Sequence, residues 1–288
     1  MKVGTLRQVW RYPVKSMAGE TLEDVRLGER GLSGDRAWAV RDEVRGGIRG
    51  AKKIPGLMRF AARYATPPAA EGSSPAQIVL PDGSTAETGD PDVNARLSGA
   101  LQHEVSLWPL LPADALDHYR RGRPTHEDVD TELRAIFART PDEPLPDLRL
   151  FPRELAEFES PPGTYFDAFP LLLLTESALA AMSARAGESV FDVRRFRPNL
   201  VVGDTAPDQE TPEMAWRGQR LAIGEATLRV TVECPRCIMV THGFADLPRD
   251  PSIMRALVRE AGGNLGVYAT VESPGAVRAG DAVELLGE

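Results

Sequence analysis

The stretch "GVYATVESPGAVRAGDAVELL", Gly266 to Leu286, decides how the rest of the chain is read. It reads as a strand, a turn at Ser273-Pro274-Gly275, and further strand broken at Gly280-Asp281, which together predict a hairpin. Just before it, a helix is expected from Asp250, with Pro251 in its first turn and Ile253, Met254, Leu257 and Val258 on one side, ending at Gly262-Gly263. Further back, "QRLAIGEATLRVTVECPRC" and "FDVRRFRPNLVVG" read as strand. "LLLLTESALAAMSARAG" places Thr175 at a helix N-cap, with Leu179 and Met182 facing inward and Gly187 as the stop.

The N-terminal part repeats this texture. "GTLRQVWRYPV" and "DRAWAVRDE" alternate in part, and "AQIVLPDGSTAET" holds the tight-turn pair Asp82-Gly83 between two extended runs. A short helix is expected in "PDVNARLSGALQ" and a strand in "EVSLWPL". Strands dominate, helices are few and no βαβ rhythm is visible, so the expected class is α+β, mainly β, of barrel type. From about residue 111 to 162 the chain turns polar, acidic and proline-rich, with weak apolar periodicity. That stretch reads as a connection with one short helix between two domains. The expected division is 1–112, 113–162 and 163–288.

Composition narrows the function. The 288 residues carry a formal net charge of −8, which argues against nucleic acid as a partner because phosphate backbones demand surplus base. No apolar run approaches the roughly 18–20 residues of a membrane-spanning helix. The start has no signal-peptide design, so a cytoplasmic protein without membrane partners is expected. Cys234 and Cys237, in "CPRC", are the two cysteines. A reduced compartment and a very short loop make a structural disulfide a poor reading. A dithiol redox pair is weakened by the following "IMVTHGF", which is not a helix start. Half a zinc site, with His242 five residues on, lacks a fourth ligand, since His103, His118 and His126 lie in unrelated stretches. There remain a single thiolate on a soft metal, with Arg236 beside it for an anion, and two small buried hydrophobes; the motif alone favours the last.

Polar groups elsewhere shift that balance. "YPVKS" sets Lys15 and Ser16 after an apolar strand, "GDRAW" sets Arg36 at the start of another, and "RRFRPN" gathers Arg194, Arg195 and Arg197 before Asn199. In order along the chain, "YPVKS", "GDRAW", "LLTESALA", "RFRPNLVV", "CPRCIMVT" and the C-terminal stretch resemble the MOSC proteins, named for the molybdenum cofactor sulfurase C-terminal domain, with the β-barrel domain that often precedes it. The branch resembled is that of the mitochondrial amidoxime reducing component and its bacterial relatives.

The resemblance implies a MOSC β-barrel behind a smaller β-barrel-like N-terminal domain, and a molybdenum–molybdopterin cofactor (Moco) held between them. It matches Cys237 to the metal thiolate and catalytic position, and leaves Cys234 to packing. It matches Lys15, Ser16, Arg36, Arg197, Asn199 and Arg236 to positions that hold the cofactor, and extends to Thr175 in a similar stretch. It implies a molybdenum oxidoreductase that reduces N-hydroxylated compounds. The alternative is a cofactor carrier or sulfur-transfer protein without turnover of its own. No proton donor follows, and His242 enters only through its nearness to Cys237 in sequence. The chain ends two residues after Leu286 and begins without a membrane anchor. A soluble bacterial form is therefore expected, taking electrons from a separate ferredoxin, flavodoxin or cytochrome-type protein with its reductase, and acting on a small-molecule substrate.

Overall fold

The computed structural model describes residues 1–206 and 209–287. Its centre is a closed barrel of seven strands, following one another around the circumference as Leu200–Gly203, Leu171–Thr175, Asn264–Ser273, Ala226–Pro235, Arg220–Ile223, Ala282–Leu286 and Lys2–Arg11, which pairs back onto Leu200–Gly203. One pair is parallel, Leu171–Thr175 with Leu200–Gly203. A parallel pair needs a crossover, and the helix Glu176–Arg185 supplies it. This single βαβ unit sits inside an otherwise antiparallel barrel.

Alternation along the strands fills the interior. Leu6, Val9, Leu171, Leu173, Val267 and Val283 are each 0% exposed. Burying side chains of this size stabilises by roughly 1.5–3 kcal/mol apiece. The residues between them, such as Leu172 and Tyr268, therefore point to the outer face. Their register, Leu172 opposite Tyr268, sets the two side by side there.

The first strand is thus a stave of the barrel that the C-terminal segments complete, and Gly275–Arg278 pairs in turn with Asp24–Gly28. The hairpin expected at the C-terminus does not form. Asn264–Ser273 pairs with Ala226–Pro235 and Leu171–Thr175, and Ala282–Leu286 pairs with Lys2–Arg11 and Arg220–Ile223. The chain runs on extended through Ser-Pro-Gly into Gly275–Arg278 and turns only at Ala279-Gly280, and burial of each apolar face selects the partner. The strand expected across "FDVRRFRPNLVVG" is also shortened. Asp192 caps a helical turn, Val193–Phe196, before strand resumes at Leu200.

The N-terminal part packs a second core around Val14, Met17, Val40, Leu57, Ile78 and Leu97. Its hairpin at Asp82-Gly83 and helix Val93–Leu101 lie where the sequence sets them. The helices Glu176–Arg185 and Ser252–Ala261 meet through Ala178, Met182, Ile253 and Leu257, and Gly262 closes the second at φ +59°. Among the described residues no helix is long and apolar enough to cross a membrane.

The connecting segment is more ordered than its composition suggests. It holds the helices Leu116–Tyr119 and Val129–Phe137 and the 3-10 turns Leu148–Leu150 and Arg153–Ala156. Val129, Leu133, Ile136 and Phe137 fall at spacings of four, seven and eight residues, one face of a helix, so apolar periodicity is present where little was expected.

Candidate functional site

A cavity of about 1060 Å³ lies against the outer face of the barrel, roofed by the connecting segment. Leu172 and Tyr268 form part of its floor. The strand Ala226–Pro235 shifts register between Val230 and Glu233 and again between Glu233 and Pro235. Such bulges re-aim side chains. Cys234, Arg236 and Cys237 thereby line the cavity.

Lys15 and Ser16 follow the first strand. Lys15 is buried, and its Nζ donates to the Tyr165 carbonyl at 2.7 Å, to Asp167 Oδ1 at 2.8 Å and to Ser160 Oγ at 3.2 Å. Asp167 also meets Lys52 Nζ at 3.3 Å. Burial pushes the Asp167 carboxyl up, but Lys15 and Lys52 together hold it well below the usual carboxylate range. Burial lowers the pKa of Lys15, with Asp167 opposing. Ser16 adopts φ +70°, and its Oγ accepts the Ala51 N–H at 2.9 Å.

A second group is built on Tyr12. The guanidinium of Arg197 lies 4.1 Å from the ring centroid and that of Arg36 5.1 Å. Asp35 pairs with Arg36 and accepts from the Tyr12 N–H and, at 3.1 Å, from Asn199 Nδ2. Asn199 Oδ1 in turn accepts from the Leu172 N–H at 3.2 Å. Arg197 Nη1 donates to the Met17 carbonyl at 2.5 Å. Ser16, Arg36 and Arg197 all hold positive φ without being glycine. Backbone of this kind costs about 1–3 kcal/mol each and gathers at functional sites.

Arg236 completes the floor. Its Nη1 donates to Cys234 Sγ at 2.7 Å, its Nη2 to the Phe196 carbonyl, and its guanidinium stacks 5.2 Å from the Phe196 ring centroid. Cys234 is therefore buried and engaged, whereas Cys237 is half-buried at the cavity wall. Burial pushes the Cys237 thiol up, with Lys52 pulling the other way. A 3-10 turn, Ile238–Thr241, begins directly after Cys237, so a helical turn does follow CPRC, contrary to expectation.

Lys15, Ser16, Arg36, Arg197, Asn199, Arg236 and Cys237 all line this one cavity. Thr175 does not. Its hydroxyl caps Ala178 N–H and donates to the buried Glu213 at 2.6 Å, because it sits on the far side of its strand's C-terminal end, under the crossover helix. Arg195 borders the cavity, but its guanidinium is spent on the carbonyls of Val190, Val240, His242 and Pro248. His242 is buried with Nε2 3.0 Å from the Ala51 carbonyl, a structural position. Among the described residues no group of three or more His, Cys, Asp or Glu could hold a metal, which disposes of the half zinc site.

Sequence reasoning missed Arg49, Lys52, Asp167 and Tyr268, all in the lining. Tyr268 alternates with the buried Val267 and Ala269, which marks it as outward-facing, but only strand pairing sets it beside Leu172. Arg49 ends the two-residue strand Ile48–Arg49, Lys52 and Asp167 stand in irregular backbone, and no local pattern marks them. The lining holds eleven Lys and Arg against four Asp and Glu, in a chain of net charge −8. The surplus base absent from the whole is concentrated here, where it attracts an anion. Arg49 Nε, Arg197 Nη2 and Arg236 Nε are buried without a partner.

The MOSC domain family matches residues 162–284 and the MOSC N-terminal beta barrel domain family matches residues 3–108. Human mitochondrial amidoxime-reducing component 1 is 26% identical over all of this chain and 84% of its own length. Human mitochondrial amidoxime reducing component 2 is 27% identical over 98% of this chain and 83% of its own. A solved structure of the YuaD protein from Bacillus subtilis aligns over 98% of this chain and 94% of that one at a TM-score of 0.45 and 13% identity, too loosely to argue from.

Proposed function

Because the chain belongs to the MOSC proteins, we propose that its cavity holds a molybdenum–molybdopterin cofactor and that the loaded protein reduces N-hydroxylated compounds. The observation that carries this reading is the set of three buried, unpartnered guanidinium N–H groups on Arg49, Arg197 and Arg236, beside a half-buried thiol. Each such donor costs about 1–3 kcal/mol unless something accepts from it. A pterin bearing a phosphate supplies acceptors and negative charge, so the residues fit the group.

Cys237 is the side chain that would bind the metal, a soft anionic ligand for a soft metal centre. Lys15, Arg36, Arg197 and Arg236 would neutralise the anionic groups, the Ser16 hydroxyl would donate to them, and Asn199 would position Arg36 through Asp35. When bound, the cofactor supplies two-electron oxygen-atom chemistry. The overall change converts R–NHOH, two electrons and two protons to R–NH2 and water, cleaving the N–O bond. The electrons would come from a separate ferredoxin, flavodoxin or cytochrome-type donor, in the cytoplasm. Lys52, paired with the Asp167 carboxylate at 3.3 Å, carries its protons at the cavity wall.

The test is molybdenum and pterin content of protein purified from a cofactor-competent host, with turnover of benzamidoxime by an artificial reductant. Wild type and Cys234→Ala are expected to carry near-stoichiometric metal and to turn over. Cys237→Ala is expected to lose both. Folded wild type without metal or pterin would sink the reading; bound cofactor without turnover would favour a carrier.

A further inference from the structure

We propose that the connecting segment builds an apolar subsite, above the cationic floor of the same cavity, for the aryl or branched alkyl body of the N-hydroxylated substrate. This rests on the reductase reading and names its substrate class.

The first observation is size. Pockets for one drug-sized ligand run to roughly 300–1,000 Å³, and this cavity holds about 1060 Å³. The cavity thus reaches the upper end of that range, and its lining extends beyond the cationic floor to the roof.

The second is the chemistry of that roof. Val129, Leu133, Ile136 and Phe137 form one face of the helix Val129–Phe137, and all four line the cavity. An amphipathic helix ordinarily buries its apolar face against a core. Here no residue of the helix is buried, and Val129 is 70% exposed. The apolar face looks into open volume, with apolar surface left for a ligand to cover. Its carboxylates are neutralised in place, Glu132 by Lys53 and Asp130 by Arg134.

The third is continuity with the floor. Phe151, from the roof, meets the Tyr268 ring edge-on at 6.3 Å, and Phe169 bridges them at 6.0 Å and 5.3 Å. All three rings line the cavity, so an aromatic wall runs from the roof to the barrel face beside Arg236 and Cys234. Offset and edge-to-face geometry of this kind welcomes another ring. The roof is also fixed. Arg255 ties it down through Glu143 and the Ala138 carbonyl, and Arg139 Nη1 reaches Met254 Sδ at 2.8 Å.

The experiment compares wild type with Val129→Asp and Ile136→Asp, as cofactor-loaded protein, on benzamidoxime and on hydroxylamine, which has no body to bind. Val129 sits at the helix start, where an acid is well tolerated, so that variant keeps its fold. We expect kcat/KM for benzamidoxime to fall about tenfold or more while that for hydroxylamine stays within about twofold. Calorimetry of benzamidoxime binding without reductant should show the same weakening. Equal loss on both substrates, no change on either, or wild type that fails to bind benzamidoxime would overturn the subsite. If neither substrate is reduced, the reductase reading falls, and the binding measurement alone decides the subsite: weakened binding in the variants sustains it, equal binding overturns it.

Discussion

Replacing Arg197 by methionine separates a residue that holds the fold from one that waits for a ligand. Arg197 is 8% exposed and sits at φ +56°; methionine has similar length and leaves that backbone term unchanged. The substitution removes the bond to the Met17 carbonyl, worth about 1.5–3 kcal/mol for a charged donor, and the stack on Tyr12, about 0.5–2 kcal/mol. Against this stand the unpartnered Nη2, which costs about 1–3 kcal/mol, and the desolvation of the charge itself, which lowers its pKa to about 10. Arg36 shares the same Tyr12 ring and adds like-charge repulsion. The terms offset, so empty Arg197→Met protein should unfold in urea within about 1 kcal/mol of wild type. In the loaded protein the same change deletes a charge-assisted contact, and cofactor affinity should fall by about 10- to 150-fold, the equivalent of 1.5–3 kcal/mol. Urea titration of cofactor-stripped protein reads the first quantity, and pterin and metal content at limiting cofactor reads the second. A loss above about 3 kcal/mol in the empty protein would make Arg197 structural, and undiminished cofactor retention would remove it from the site.

Three further substitutions probe the frame around the cavity. Glu213 is 0% exposed, bonded to Thr175 through one oxygen, and burial raises its pKa. A raised folded-state value gives stability complete below the unfolded pKa near roughly 4.3 and lost as pH rises through the folded value. Wild type should therefore lose stability relative to Glu213→Gln in urea unfolding as pH rises above the unfolded value, and a flat difference would refute this. A methyl on Gly50 would lie 2.7 Å from Ser16 Oγ and break its bond with the Ala51 N–H. Gly50→Ala should cost about 1–3 kcal/mol, and a double-mutant cycle with Ser16→Ala should reveal coupling; additive costs would contradict the contact. Gly266 holds φ +78° with its missing Cβ 2.6 Å from the Leu173 carbonyl, so Gly266→Ala should lose at least about 1–2 kcal/mol by thermal unfolding, and a neutral result would argue against that register.

Some parts of this architecture are written locally. Asp82-Gly83, the Thr175 cap and the stop at Gly262 need only the φ values and hydrogen bonds of a few adjacent residues, and they appear where the chain sets them. The C-terminal Ser-Pro-Gly triplet misled, because it has the composition of a turn in a stretch that the pairing of its flanks keeps extended. The connecting segment misled in the opposite direction. Its polar composition hid a one-sided helix whose apolar residues meet the cavity instead of a core.

By itself the sequence determined the mainly β class, several caps and turns, and, through an ordered set of short motifs, the cations and the thiol that share one cavity. Tertiary structure alone decided that the first strand closes the barrel, that Thr175 turns away to Glu213, and that Arg49, Lys52, Asp167 and Tyr268 join the site. Periodicity and capping are short-range properties of the backbone. Closure, register and the convergence of side chains distant in sequence are settled only when every apolar face competes for burial at once.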